Sequence, residues 1–198
     1  MSQLGAPEWV LATPHGDKPG FFLEVGCADA ELISNTALLE KHGWRGIAVD
    51  PFPRNFSETT RPRTVVERAL VASEAGREVQ FAICHANPDL SGIVDALGCH
   101  RDNVLGGDHE IVTLSTQTLG DILKKHGAPG FIEYLSLDVE GSEYEVLRAF
   151  PFDEYAFGCI SVEHNYELDK KELVHDLLTA NGYALYKDVE WDSWYVRS

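Results

Sequence analysis

Basic residues are scarce in this chain: sixteen Lys and Arg stand against thirty-two Asp and Glu, a formal charge of −16 over 198 residues. A field of that sign repels phosphate backbones, so nucleic acid is not expected as a substrate or partner. Long hydrophobic runs are missing as well. No stretch reaches the roughly 18 to 20 apolar residues that a bilayer core requires. The N-terminal sequence has no basic segment followed by an apolar one. Neither a membrane span nor a secretory signal is therefore expected, and the expected compartment is the cytoplasm. Cysteine is sparse: Cys27, Cys84, Cys99 and Cys159 form no C-x-x-C pair, which argues against a zinc knuckle or a disulfide framework and for reduced thiols.

What is present is core-forming sequence. Apolar residues make up 44% of the chain, enough for one domain over residues 1–198. Three stretches are weakly patterned. Residues 1–19 read as an N-terminal arm with a short helix near Trp9 and Val10; 52–63 reads as a loop. Residues 85–109, rich in Gly, Asp, Asn and His, read as a long insertion on the substrate side.

Between these stretches, strand-like runs alternate with helical patterns, the signature of an α/β, doubly wound sheet covered on both faces. FFLEVG at 21–26 reads as a buried first strand. Residues 32–43 place Leu32, Ile33, Ala37 and Leu38 at helical spacing before Gly43. Strands follow at 46–50 and 64–71, with an additional one at 78–84 and a short one at 111–115. A helix at 118–127 leads to a strand at 134–138, a helix at 141–150 and a strand at 158–163. The best-marked helix has Asp169 as N-cap, Glu172 three residues on, an apolar stripe of Leu173, Val174, Leu177 and Leu178, and Asn181-Gly182 as its stop. The last two strands, 183–187 and 193–197, are too close in sequence for a parallel crossover and must pair antiparallel if they are neighbours. The sheet is therefore expected to be mostly parallel with an antiparallel C-terminal strand.

In such a sheet, ligands bind at the carboxyl ends of the strands. Acidic residues cluster there: Glu24 to Asp29, Asp50, Asp138 to Glu140, and Glu163 beside His164 and Asn165. The first loop, EVGCADAEL, has one early glycine, Gly26, where a dinucleotide fingerprint has three, and it holds Cys27 as a small buried side chain. A pyrophosphate avoids such carboxylates, whereas S-adenosylmethionine, which bears a sulfonium and an ammonium and no phosphate, tolerates them. Asp50, followed by Pro51, stands where an acidic residue accepts hydrogen bonds from a ribose diol.

The stretches EVGCADAELISNTALLEKHGWRGIAVDPFP and IEYLSLDVEGSEYEVLRAFPF, followed by ISVEHN, resemble the FkbM-type methyltransferases over most of residues 20–198. The DVEGSE run, Asp138 to Glu143, is the most specific part. The resemblance implies a Rossmann-like class I methyltransferase fold. It also implies methyl transfer from S-adenosylmethionine to a hydroxyl of a small molecule such as a sugar or natural product. Glu24, Gly26, Asp29, Ser34, Asn35 and Asp50 become cofactor-side residues, to which the loop's Cys27 and the neighbouring Pro51 are added. The chain departs from the family at Ala30, where glycine is usual. That departure motivates an alternative reading, a non-catalytic protein binding S-adenosylmethionine or a nucleoside through the same fold. A nicotinamide-dependent oxidoreductase is opposed by the missing glycines and the final hairpin.

Asp138, Glu163 and His164 are the candidate catalytic residues. They serve either as a general base on the acceptor hydroxyl or as an oxygen-rich site for a hard ion such as Mg²⁺. Structural readings suffice for the others. Glu140 charges the start of the following helix, Glu143 and Glu145 lie on its solvated face, and Trp191 and Trp194 pack beside the final turn. The other histidines show no ligand spacing. The charge balance yields a first expectation: the protein elutes from a heparin or DNA column near physiological salt without retention. Tight, salt-sensitive retention would reveal a local basic surface, with Arg54, Arg61 and Arg63 the first residues to test.

Overall fold

The computed structural model describes residues 2 and 4–198. In chain order the elements are α1 (Ala6–Leu11), β1 (Phe21–Val25), α2 (Ala37–Lys41), β2 (Arg45–Val49), β3 (Thr64–Glu67), β4 (Leu70–Val71), β5 (Glu78–Cys84) and β6 (Gly92–Ile93). They continue with α3 (Arg101–Leu105), β7 (His109–Gln117), α4 (Leu119–Lys125), β8 (Phe131–Leu137), α5 (Glu143–Arg148), β9 (Ala156–Glu163), α6 (Leu168–Ala180), β10 (Tyr183–Val189) and β11 (Asp192–Arg197). Seven strands form one sheet in the order β10-β11-β9-β8-β1-β2-β3. The five from β9 to β3 run parallel, while β11 is antiparallel both to β9 and to β10, the latter as the short final connection requires. A second sheet, β4-β7-β5-β6, packs beside it. The molecule is thus mixed α/β, built on a large, mostly parallel sheet.

Alternation along β1 divides the interior. Phe21, Leu23 and Val25 face a core shared with Leu135, Leu137 and Phe157, covered by Ile122 and Leu123 of α4, Val146 of α5, and Val174 and Leu178 of α6. Phe22 points the other way, into a layer with Tyr134, Cys159 and Trp194 that α1 covers with Trp9 and Val10 and α2 with Leu39. Side chains of successive strand residues point to opposite faces, so Glu24 falls on the Phe22 side. That charge would be costly to bury without partners, and it has them.

Glu24 is 3% exposed and accepts hydrogen bonds from the Ser34 hydroxyl (3.1 Å), the Asn35 N–H (2.7 Å) and the Thr36 hydroxyl. Arg61 closes the network from below. Its guanidinium pairs with Glu40, donates to the Ala30 carbonyl (2.8 Å) and the Thr36 hydroxyl (2.7 Å), and lies 4.0 Å from Glu24. This network explains why the expected helix over 32–43 shrinks to Ala37–Lys41. Ser34, Asn35 and Thr36 turn toward a buried carboxylate, and Ile33 takes a left-handed backbone (φ 56°). Side-chain and backbone donors that a carboxylate captures are lost to the helical ladder.

Other boundaries moved for equally local reasons. The strand expected at 64–71 divides after Glu67, and Leu70–Val71 pairs with β7 in the second sheet. The strand expected at 111–115 extends to His109–Gln117 because β5 pairs along it from Cys84 to Glu78. The 85–109 stretch is not unpatterned, since it holds β6 and α3. The helix after β8 is confined to Glu143–Arg148. Helix α6 begins at Leu168 with Glu167 as its cap residue, so Asp169 lies in its first turn. The Glu167 carboxylate pairs with Lys170 and accepts the Cys99 N–H. Its stop is as expected, with Gly182 at φ 84°.

The Arg61 network yields a stability expectation. Arg61→Met leaves the Glu24 and Glu40 carboxylates buried without their cation and should cost about 3–5 kcal/mol of unfolding free energy. Urea titration with tryptophan fluorescence measures it. A loss below about 1 kcal/mol would mean that the hydroxyl and amide donors suffice without the guanidinium.

Candidate active site

The carboxyl ends of β1, β2 and β8 open onto a cleft of about 320 Å³, within the size range of small-molecule sites. Residues of the second sheet, Phe81 and Ile83, and of the 85–109 segment, Pro88, Asp89 and Ser91, close its far side. Leu4 reaches it from the N-terminal arm.

The loop after β1 is shaped by a close approach. Gly26 has φ 78°, and a Cβ there would overlap the carbonyl oxygen of Asp138. Only glycine lets the two strand ends meet. The N–H groups of Gly26 and Cys27 both donate to the Val49 carbonyl, which ties the loop to the end of β2. Burial, reinforced by the Asp50 and Glu24 charges, pushes the Cys27 thiol well up, so it is a packing residue and no nucleophile.

Asp50 follows β2. Its Oδ2 accepts the Ala28 N–H (3.0 Å) and its Oδ1 the Phe52 N–H (2.7 Å). Each oxygen keeps a lone pair, and the two backbone donors fix the carboxylate's plane against the cleft. Burial raises its pKa.

Of the residues expected on the cofactor side, Glu24, Gly26, Cys27, Ser34, Asn35, Asp50 and Pro51 line this cleft. Asp29 does not. Its Oδ1 accepts the N–H groups of Glu31 and Leu32, its Oδ2 the amide of Asn55. Burial works against that carboxyl, yet these donors hold it below the usual range. It is a loop fastener. Glu24 lines the cleft but has spent its oxygens on the protein, so its part is to place Ser34 and Asn35, whose side-chain amide donates to Ser136 (3.0 Å).

Of the trio Asp138, Glu163 and His164, the first two are brought together and His164 is not. Asp138 lines the cleft. Glu163 is 8% exposed and hydrogen-bonds to Asp138; burial and the Asp138 and Glu140 charges push its pKa up, which favours one proton shared between the two carboxyls. The Asn165 amide donates to the other Glu163 oxygen (2.7 Å). His164 turns to a separate pocket lined by Lys171, Ser193 and Tyr195, where its Nδ1 accepts the Tyr166 N–H (3.1 Å). Backbone alternation explains this: consecutive residues at a strand end face opposite sides. Burial and Lys171 lower the His164 pKa.

Glu143 takes the place expected of His164. Carboxylate oxygens of Asp138, Glu143 and Glu163 lie within 4.8 Å of one another. Far from being a solvated helix residue, Glu143 is 4% exposed, and its Oε1 accepts the N–H groups of Val139 (2.9 Å) and Gly141 (3.0 Å). The three oxygens have the spacing of an ion cage, but Oε1 of Glu143 already accepts two backbone N–H groups and Glu163 is hydrogen-bonded to Asp138. Neither Glu143 nor Glu163 lines the cleft. The donor set does not fit an ion shared with a substrate.

Three cleft residues were missed in the sequence. Glu140 lines it with a left-handed backbone (φ 54°), a conformation that no residue pattern announces for glutamate. Trp191 and Asp192 line it from the turn before β11, whereas Trp194 packs in the interior against Trp9 (4.7 Å between ring centroids). Burial pushes Asp192 up to about 6, helped by the Glu143 charge, and Glu140 up to about 9, helped by Asp138.

These elements define the class of protein: an α/β protein with an acid-walled cleft for a small ligand at the carboxyl edge of a parallel sheet. The model of the FkbM methyltransferase domain matches residues 24–185, and the chain belongs to that family, which makes it a methyltransferase. No curated protein and no solved structure matches the chain. No helix among the described residues is long and apolar enough to cross a membrane.

The raised carboxyls make stability depend on pH. Folded Asp192 and Glu140 keep protons that the unfolded chain releases near pH 4, so their contribution is full below that value and is lost as pH rises through about 6 and on toward 9. The unfolding free energy should fall between pH 5 and pH 9. Asp192, its carboxyl raised to about 6, alone contributes about 1.4 kcal/mol of that fall, since one pKa unit is worth about 1.4 kcal/mol. Asp192→Asn should remove the part of the slope between pH 4 and 6. Thermal melts across that range check the sign, and a flat or rising profile would contradict it.

Proposed function

We propose that the protein is an S-adenosylmethionine-dependent O-methyltransferase of the Rossmann-like class I type, acting on a hydroxyl of a small molecule. The observation that carries this reading is Asp50, held by the N–H groups of Ala28 and Phe52 with a lone pair free on each oxygen at the end of β2. That is the arrangement a ribose diol needs. Phosphate chemistry is disfavoured by the same walls. Among the described residues, Arg54 is the only Lys or Arg lining the cleft, and it is paired with Asp89. A pyrophosphate would meet Asp50, Asp89 and Asp138 with no free cation.

Bound there, S-adenosylmethionine supplies an electrophilic methyl group. The chain's own residues do the rest. Asp50 fixes the ribose, Leu70, Val71, Phe52 and Phe81 offer an apolar wall for a purine, and Asn35 with its hydrogen-bond partner Ser136 of β8 lines the cleft beside them. Asp138 is the general base: it reaches the cleft, and Glu163 shares a proton with it from behind and fixes its orientation. Burial raises Asp138 toward the neutral range, where a base can both be ionised and take a hydroxyl proton. Glu163 is a positioning residue, and His164 has no part. Mg²⁺ is left out for the reason given by its donors.

Ala30 does not favour the non-catalytic alternative. It is not among the residues with a left-handed backbone, it is fully buried, and its N–H donates to the Arg54 carbonyl (3.0 Å). Alanine therefore fits where glycine is usual.

Calorimetric titration with S-adenosylmethionine tests the proposal, with Asp50→Ala expected to weaken binding by about 1–3 kcal/mol. Unchanged affinity in a folded variant would remove Asp50 from the site. Nicotinamide dinucleotide binding in place of S-adenosylmethionine would overturn the reading. Once an acceptor is found, turnover should survive EDTA and fall at least a hundredfold in Asp138→Asn.

A further inference from the structure

Glu140 is the least explained side chain in the cleft. It is 8% exposed, and its buried Oε2 has no hydrogen-bond partner among the described residues. His100 Nε2 stands 3.7 Å away, within ion-pair range when the ring is protonated but beyond hydrogen-bond reach. Its backbone is left-handed, which is unfavourable for any residue with a Cβ other than Asn or Asp. A buried polar atom without a hydrogen bond and a strained backbone are both costly, and they persist together where a ligand uses them.

The surroundings hold Glu140 in this state. The 85–109 segment is pressed against it: a Cβ on Gly92 would lie 3.1 Å from the Glu140 Cβ, and one on Gly141 would overlap the Ala96 carbonyl. Among the described residues, no basic side chain in the cleft is free to answer the carboxylate, since Arg54 is committed to Asp89. Glu140 follows β8 and Asp138, whereas Asp50 and Pro51 follow β2, so the sheet order puts β1 between them. By strand order Glu140 lies away from Asp50, on the side of β9 and β11, and the turn before β11 brings Trp191 and Asp192 to the cleft. An indole face and carboxylates together attract cations.

We infer that Glu140, with Trp191 and Asp192, receives an ammonium group of the acceptor, so that the molecule methylated is an amino alcohol or amino sugar and not an anion. The inference rests on the methyltransferase reading for which end of the cleft receives the acceptor. It does not rest on it for the presence of the cation site. A neutral sugar brings no charge that would favour the ionised form of Glu140, and a phosphorylated sugar or carboxylic acid adds repulsion. An ammonium supplies donors for the unpartnered Oε2 and a charge that favours the carboxylate.

Three probes of similar size separate these cases: ethanolamine, ethylene glycol and glycolate, followed by ligand-observed NMR with the protein alone and saturated with S-adenosylhomocysteine. Ethanolamine should bind at least tenfold more tightly than ethylene glycol, with glycolate weakest. Glu140→Gln should bring ethanolamine to within twofold of ethylene glycol, while calorimetry gives an S-adenosylmethionine Kd within twofold of the parent. Glu140→Gly serves as a second variant, because it also relieves the left-handed backbone; it should melt at a higher temperature and lose the same preference. Equal binding of the three probes, binding of none, or an ethanolamine preference that survives both variants would overturn the inference. So would a tenfold loss of S-adenosylmethionine affinity in Glu140→Gln, which would assign the carboxylate to the cofactor's own ammonium. Failure of the parent to bind S-adenosylmethionine, with the ethanolamine preference intact, would sink the methyltransferase reading and leave the cation site standing.

Discussion

A carboxylate buried at the end of the central strand organises half of the cleft. Glu24 faces away from the larger core because of its place in the β1 alternation, and there it meets the loop of Ser34, Asn35 and Thr36 and the guanidinium of Arg61. Without those donors the charge would be intolerable inside the protein. With them the loop must leave the helical path, which brings Asn35 to the cleft wall. Arg61 also reaches Ala30 and pairs with Glu40, so one cation joins the first loop, α2 and the chain entering β3. The ligand-facing loop is thus a by-product of neutralising one buried acid.

The strands of the large sheet were readable because their apolar runs are continuous and end in turn residues, as the burial of every residue of β1 illustrates. The antiparallel hairpin was readable from chain length alone. What escaped was decided by distant partners. The helical spacing of Leu32, Ile33, Ala37 and Leu38 is real, yet Leu32 ends 69% exposed because Glu24 captures the residues between. Asp169 has the composition of a cap, but Glu167 stands at the cap position, drawn to Lys170 and the Cys99 N–H. His164 stands beside Glu163 in sequence and faces the opposite way in space.

Site chemistry was legible to a similar depth. Strand-end acids were recognisable as a group, and Asp50 and Asp138 do face the cleft. Their division of labour was not recognisable, because it depends on which donors each one meets. Asp29 and Glu143 are consumed by backbone N–H groups, while Asp50 accepts one on each oxygen and keeps capacity. Glu140 stood out in the sequence only as one of the strand-end acids, since its particular meaning lies in a missing hydrogen-bond partner and a backbone angle.

The order of strands in the large sheet also bears on how the molecule comes into being. Phe22 of β1 is paired with Tyr134 of β8, and Glu163 of β9 with Asp192 of β11. Contacts between residues so far apart along the chain must wait for loop closure, which slows folding relative to proteins built from local contacts. While the polypeptide is being synthesised, β1 and β2 can meet early, but β1 has an unpaired side until β8 arrives. During that interval the strand that will bear Gly26 exposes an apolar edge between Phe21 and Val25, the condition under which nascent chains associate with one another or with chaperones.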